Sequence, residues 1–276
     1  MCRSRRRPGY RPGLRHDACQ YCLNYRAGRT ENKLSGFVLL VIRTKYSRIM
    51  PGVKTLIKAV LFDMDGILFD SEGYYMSGTV AWMRAAGYTG TNELVYTIIG
   101  TNMAQTYDML YEMFDHRLSR EEIRQLNDDY FADRPLNCRE VMFPGIPEVL
   151  AKLKEYGLKL ACCSSSPRPA IDRALREMGI TGDFDVIIDS DSVKRPKPAP
   201  DVYLTAAEVI GAAPQECVVY EDSRFGIEAG KNAGMTVIAR EDRRFGQDQS
   251  ACDVLVKDCQ EMLAYIEGEL KHAGSH

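Results

Sequence analysis

Ile57-Lys58-Ala59-Val60-Leu61-Phe62-Asp63-Met64-Asp65-Gly66 decides the reading of this chain: a short apolar run empties directly into two carboxylates spaced one residue apart. Side chains alternate along an extended strand, so Asp63 and Asp65 project to one side while Met64 points away. Gly66 lets the backbone turn sharply behind them. Anionic groups held this close raise each other's pKa, a cost usually offset by a bound cation or used in acid/base work. On its own, D-x-D-G also fits a plain turn or a calcium loop. The rest of the chain has to choose.

Downstream of Leu56, short apolar runs alternate with helical patterns, which predicts an α/β fold with a Rossmann-like parallel sheet. The expected strands are Ile57 to Phe62, Leu158 to Cys163, Val186 to Asp189, Cys217 to Tyr220 and Thr236 to Ala239; the expected helices are Ile146 to Tyr156, Pro169 to Met178, Pro200 to Ile210 and Gly226 to Ala233. Uninterrupted apolar strands suit a sheet covered on both faces. Residues 72–140 break the alternation with helical patterns only, at Tyr74 to Ala86, Met103 to Phe114 and Ser119 to Phe131, the last opened by the capping box Ser119-Arg120-Glu121-Glu122. The expected organisation is a core of residues 55–71 and 141–276, with a helical cap of residues 72–140 inserted between strands 1 and 2. Ligands of open α/β sheets bind at the carboxyl edge, which such a cap would cover.

With 276 residues, 45% apolar and 27% charged, the chain is long enough for one good core and a smaller appended unit. The net charge of −2 conceals an asymmetry: residues 1–54 carry +11, leaving −13 for the remainder. Nucleic acid is therefore not an expected partner of the acidic part, and any such binding would belong to the basic arm. Met1 to Thr30 show neither helical nor alternating periodicity, and residues 1–54 are expected to be a disordered extension or to reflect an upstream start chosen in error, with Met50 the true start; a transit peptide or a nucleic-acid-binding arm is the other reading. The apolar run Phe37 to Ile42 is too short to span a bilayer. Cys19-Gln-Tyr-Cys22, near His16 and Cys2, has metal-like spacing but no second pair at finger distance, so zinc is not expected. Nine scattered cysteines, three of them (Cys162, Cys163 and Cys217) inside strand-like runs, suit a reducing cytoplasm.

The strand ends carry the chemistry. The first delivers Asp63 and Asp65, and the second ends in Ser164-Ser165-Ser166-Pro167, hydroxyls leading into a helix whose N-terminal amides favour anions. Lys197 follows the third in a proline-stiffened loop, and Glu221-Asp222-Ser223 closes the fourth with a second acidic pair. Each group taken singly has a structural explanation. Together, at successive strand ends, they match what phosphoryl transfer requires.

These strings resemble the haloacid dehalogenase superfamily, and more closely its β-phosphoglucomutase-like branch of sugar-phosphate phosphatases and mutases. The resemblance spans about residues 57 to 270 and rests on F-D-M-D-G at 62 to 66, C-S-S-S-P at 163 to 167, K-P-A-P-D at 197 to 201 and E-D-S-R-F-G-I-E-A-G at 221 to 230. It implies that Asp63 is the nucleophile forming an aspartyl-phosphate and Asp65 the general acid/base. It further implies that Ser164, Ser165 and Lys197 hold the phosphoryl oxygens, and that Asp63, Asp65 (through its backbone carbonyl), Glu221 and Asp222 make the Mg²⁺ site. A carboxylate approaches a phosphate dianion only when their repulsion is neutralised, and Mg²⁺ suits hard oxygen donors. Asp65 argues against dehalogenation, which needs no acid there.

Within that branch, mutases are expected to carry a histidine ten positions after the acid/base Asp and a cap arginine. Here those places hold Tyr75 and Met103. The expected activity is therefore Mg²⁺-dependent hydrolysis of a small sugar or polyol phosphate by a monomer, with a phosphosugar mutase as the alternative and nucleic-acid binding through the basic N-terminus as a distant one. Tyr74, Tyr75, Trp82, Asn102 and Tyr107 are cap positions that could face the leaving group, and Arg168 and Arg224 flank the motif loops.

Overall fold

The computed structural model describes residues 56–99 and 103–273. The expected extension at residues 1–54, the Cys19–Cys22 pair and Asn102 lie outside the described residues. Six parallel strands form one sheet in the order β3-β2-β1-β4-β5-β6: β1 Ala59–Phe62, β2 Lys159–Cys163, β3 Val186–Ile188, β4 Cys217–Glu221, β5 Thr236–Arg240 and β6 Val254–Val256. β1 is central and wholly buried, which explains a strand without polar alternation. Nine described helices accompany the sheet: α1 Ser71–Ala85, α2 Asn92–Tyr96, α3 Met103–Met113, α4 Arg120–Ala132, α5 Ile146–Glu155, α6 Arg168–Met178, α7 Asp201–Ile210, α8 Arg224–Asn232 and α9 Cys259–Ala273.

The fold is the expected α/β architecture, with α1 to α4 inserted between β1 and β2. Odd-numbered residues of β1, β2 and β4 (Leu61, Ala161, Val219) face a core shared with Val202, Tyr203 and Ala206 of α7 and Ile227 of α8. The inserted helices bury their own cluster around Met83, Val95, Leu110, Phe114 and Ile123. Ser119 caps α4 in the reciprocal box that its sequence predicts. Among the described residues no helix is long and apolar enough to cross a membrane.

Several elements differ from expectation. β1 starts two residues later than its apolar run, and α1 starts three residues earlier, at Ser71, because the Asp70 side chain accepts from Gly73 N and caps it. Helix α2, strand β6 and helix α9 are additional. β6 is only three residues long, and α9 mixes its buried Met262 and Ile266 with charged positions, so neither stands out as a run.

Register places the site. Phe62 is level with both Cys162 and Tyr220, so the residues that follow them, Asp63, Cys163 and Glu221, emerge side by side. Asp63 N donates to Tyr220 O at 2.9 Å, and Ser164 N donates to Ile188 O at 3.0 Å, which carries the ladder one residue past the strands. The edge between β1 and β4 is where strand order reverses, the usual ligand crevice of such sheets.

Candidate active site at the carboxyl edge of the sheet

Lys197 is the hub. Its side chain is 6% exposed, and its three donors are all used: Nζ donates to Asp63 Oδ1 at 2.5 Å, Glu221 Oε1 at 2.8 Å and Cys163 O at 3.2 Å. The Tyr203 ring, 4.9 Å from Nζ, closes the remaining side. Burial alone would lower this lysine's pKa, but Asp63 and Glu221 outweigh it and hold the ammonium charged.

Glu221 is fully buried, and both of its oxygens are occupied by protein donors. Oε1 accepts from Lys197 and, at 3.0 Å, from the Tyr203 hydroxyl; Oε2 accepts from Asp222 N at 2.8 Å, Ser223 N at 2.9 Å and Ser223 Oγ at 3.1 Å. Burial opposes its charge, yet Lys197 and these donors bring its pKa below the ordinary value. Five donors fill the roughly four lone-pair positions of a carboxylate. Glu221 thus orients Lys197 and the Asp222 loop, with little left to offer a metal.

Asp63, Glu221 and Asp222 each present an oxygen within 4.8 Å of the others. Burial, together with Glu221 and Asp65, pushes Asp63 up to about 8 against the pull of Lys197. Asp222 is raised well above its ordinary value by burial and by the Glu221 charge, with Arg240 pulling the other way. Crowded hard-oxygen donors whose charges destabilise one another are a fitting receptacle for a divalent cation. The donor set therefore fits Mg²⁺, with Asp63 and Asp222 best placed to bind it. Gly66 permits the crowding: its φ is +75°, and a Cβ there would press on the Asp222 carboxylate.

Asp65 stands slightly apart. Its Oδ2 accepts from Ser166 Oγ at 3.2 Å. Burial raises its pKa, while Ser71, Ser166 and Lys197 hold it back. The Ser71 hydroxyl is close by but outside hydrogen-bond geometry. Ser164 is buried and its Oγ accepts from Ser166 N at 3.0 Å, leaving its own proton to donate, whereas Ser165 is exposed.

The structure thus gathers Asp63, Asp65, Ser164, Lys197, Glu221 and Asp222 at one edge and adds Ser166, Tyr203 and Arg240. Ser166 was visible in the serine cluster. Tyr203 and Arg240 had no motif to mark them. Glu72, two residues past the α1 cap, is pushed to about 7 by burial and by Asp65, and sequence reasoning passed over it too.

Other flanking positions are corrected by the structure. Trp82 is 3% exposed and stacked on Phe114 inside the insert, so it cannot face a leaving group. Tyr107 packs in the same cluster and accepts from Asn127 Nδ2, while the Tyr74 hydroxyl donates to Arg134 O. Tyr75 remains 40% exposed, with Asp65 among the charges acting on it. Arg168 and Arg224 pair with Asp172 and Glu228 one helical turn away.

Comparison with known proteins identifies the family. A family model described as haloacid dehalogenase-like hydrolase matches residues 60–240. The chain is 33% identical to the phosphorylated carbohydrates phosphatase of Thermotoga maritima over 64% of its own length and 82% of that protein. It is 27% identical to the beta-phosphoglucomutase of Bacillus subtilis over 74% and 91% of the two chains. A solved HAD family hydrolase of Deinococcus radiodurans with bound phosphate and sodium superposes with a TM-score of 0.66 at 25% identity, covering 78% of this chain and 97% of that one. The chain belongs to the haloacid dehalogenase-like hydrolase family.

Proposed function

We propose that the protein is a Mg²⁺-dependent phosphatase hydrolysing a small sugar or polyol phosphate through a phosphorylated Asp63. The observation that carries this reading is the buried contact of Lys197 with Asp63 and Glu221 beside Asp222. This contact supports the reading because a fixed cation, a carboxylate able to attack and an Asp63–Asp222 pair fitting a metal would together meet the charge of a transferring phosphoryl group. Relatives named as a carbohydrate phosphatase and a phosphosugar mutase support phosphate-ester chemistry on a sugar-like substrate.

Asp63 attacks phosphorus while Lys197 holds its Oδ1 in place. Lys197 gives up its 3.2 Å bond to Cys163 O to meet one phosphoryl oxygen, and the Ser164 hydroxyl donates to another. Asp65, whose pKa burial raises, gives its proton to the leaving alkoxide and then takes one from the water that releases phosphate. Mg²⁺, held by Asp63 and Asp222, supplies positive charge that lets one anion approach another. Residues 72–140 act as a cap over a core of residues 55–71 and 141–276, and Tyr75 contacts the leaving group. The proposed acting form is a monomer. The described cysteines are free, in keeping with a reducing cytoplasm.

Hydrolysis is preferred over mutase action for a further reason. Arg84, Arg117, Arg120, Arg124 and Arg134 of the insert all donate to partners within the insert itself. Met103 is 64% exposed at the place where a phosphate-gripping arginine was expected. The test is phosphate release across a set of metabolite phosphates with and without Mg²⁺, followed by glucose 1-phosphate plus a bisphosphate primer. Isomerisation faster than phosphate release would overturn the hydrolase reading.

A further inference from the structure

Strand β5 ends in Arg240, a residue only 8% exposed at the same sheet edge as the acidic site. Burying a cation is costly, so its contacts show what holds it there. Nε donates to Gly66 O at 2.6 Å and Nη2 to Asp242 Oδ2 at 3.0 Å. Nη2 also stands 3.6 Å from Asp222 Oδ2, an ion-pair distance that leaves the carboxylate's lone pairs free. Phe143 covers the guanidinium face at 4.4 Å.

Two loops meet at this point. Gly66 closes the loop that carries Asp63 and Asp65, and packs so tightly on Asp222 that it has no room for a Cβ. Arg240 is bonded to the first loop and paired with the second. Gln249 repeats the connection: its Nε2 donates to both Asp222 O and Arg240 O at 2.7 Å, and its Oε1 accepts from Asp242 N at 3.2 Å.

Charge balance separates this group from a simple counter-ion. Arg240 and Arg244 face Asp242 and Asp70, with Arg244 forked onto Asp70 at 2.7 and 2.8 Å. Arg240 thus divides its charge between Asp242 and, at longer range, Asp222. The Asp222 charge remains for a ligand on its other side.

We propose that Arg240, seconded by Gln249, is a positioning residue that locks the Asp63–Gly66 loop against Asp222 and so sets the spacing of the metal-binding carboxylates. This rests on the Mg²⁺ reading above. A rigid planar fork holds its donors toward the Gly66 carbonyl and the two carboxylates in fixed directions, whereas a lysine in its place would supply only a point charge on a flexible stem. Groups that orient metal ligands typically change metal affinity 10- to 100-fold when removed.

The test is direct Mn²⁺ binding by electron paramagnetic resonance on the full chain, comparing the wild type with Arg240→Met, Arg240→Lys and Gln249→Met, with circular dichroism to confirm folding. The dissociation constant is expected to rise about 10- to 100-fold in Arg240→Met and about tenfold in Gln249→Met. Phosphate release by both variants should recover at high Mg²⁺, which general destabilisation would not produce. If Arg240→Met does not fold, half-buried Gln249 decides the matter. A folded variant binding Mn²⁺ within twofold of wild type would overturn the positioning role alone; a wild type that binds no Mn²⁺ would overturn the metal reading and this proposal with it.

Discussion

Lys197 and Glu221 form an ion pair with almost no access to water: Nζ lies 2.8 Å from Oε1, and the side chains are 6% and 0% exposed. The same ammonium reaches Asp63 at 2.5 Å, so one lysine joins the loop after β3 to the ends of β1 and β4. Removing it leaves Glu221 as a buried charge without its cation. Lys197→Met is expected to cost about 3–5 kcal/mol and to lower the melting temperature on the order of 10 °C, with phosphate release lost. A variant that melts like wild type would show that the pair contributes nothing net.

Asp63→Asn keeps the shape of the side chain and removes the proposed nucleophile. Phosphate release is expected to fall by about 10⁴-fold or more, while the circular dichroism spectrum stays native. Residual activity above one per cent would point the attack elsewhere.

Asp65→Asn should split the two half-reactions. With p-nitrophenyl phosphate, whose leaving group needs no acid, the variant is expected to give a burst of nitrophenol equal to the enzyme present. Turnover should then be about 10²- to 10⁴-fold slower than wild type, because no base activates the water. Rapid-quench measurement decides it: a slow phase without a burst would argue against Asp65 as the proton carrier.

The acidic cluster should make the metal-free protein sensitive to pH. Asp63 is pushed up to about 8 and Asp222 is raised well above its ordinary value, both chiefly by burial. In the unfolded chain both titrate at about 3.9. Between those limits the native state holds protons that the unfolded chain has released, so stability falls as pH rises. Glu221, lowered by Lys197, works in the opposite sense, but only on the acid side of the ordinary carboxylate range. The melting temperature in EDTA is expected to fall from pH 5 to pH 8, and added Mg²⁺ to raise it more at pH 8 than at pH 5. Scanning fluorimetry across that range would expose the opposite trend.

Gly226→Ala tests the Glu221 seat from the other side. A Cβ at Gly226, in the first turn of α8, would collide with the Glu221 carboxylate. Alanine normally favours a helix over glycine by up to about 1 kcal/mol, so a net loss of stability, joined to a fall in phosphate release, would report displacement of Glu221. A stabilised, fully active variant would contradict the packing described here.

The sequence by itself determined most of the sheet and the kinds of group at its edge. Runs such as Val60 to Phe62 and Val218 to Tyr220 are apolar throughout because both faces of their sheet are covered, and that pattern survives in one dimension. So did Asp63, Lys197 and Asp222, each placed directly after or near a strand end. Tertiary structure decided how those groups divide their work. Glu221 and Asp222 are neighbours in the chain and read as one acidic pair, yet five donors occupy Glu221 while Asp222 stays open beside Asp63. Trp82 read as a possible substrate contact and is instead core, because the insert turns it inward onto Phe114. Arg240, 174 residues from the glycine it grips, has no local signature at all. Periodicity and motifs report what a residue does to its own segment. Who holds whom depends on strand register and loop closure, which bring distant residues within 3 Å and leave no trace in spacing.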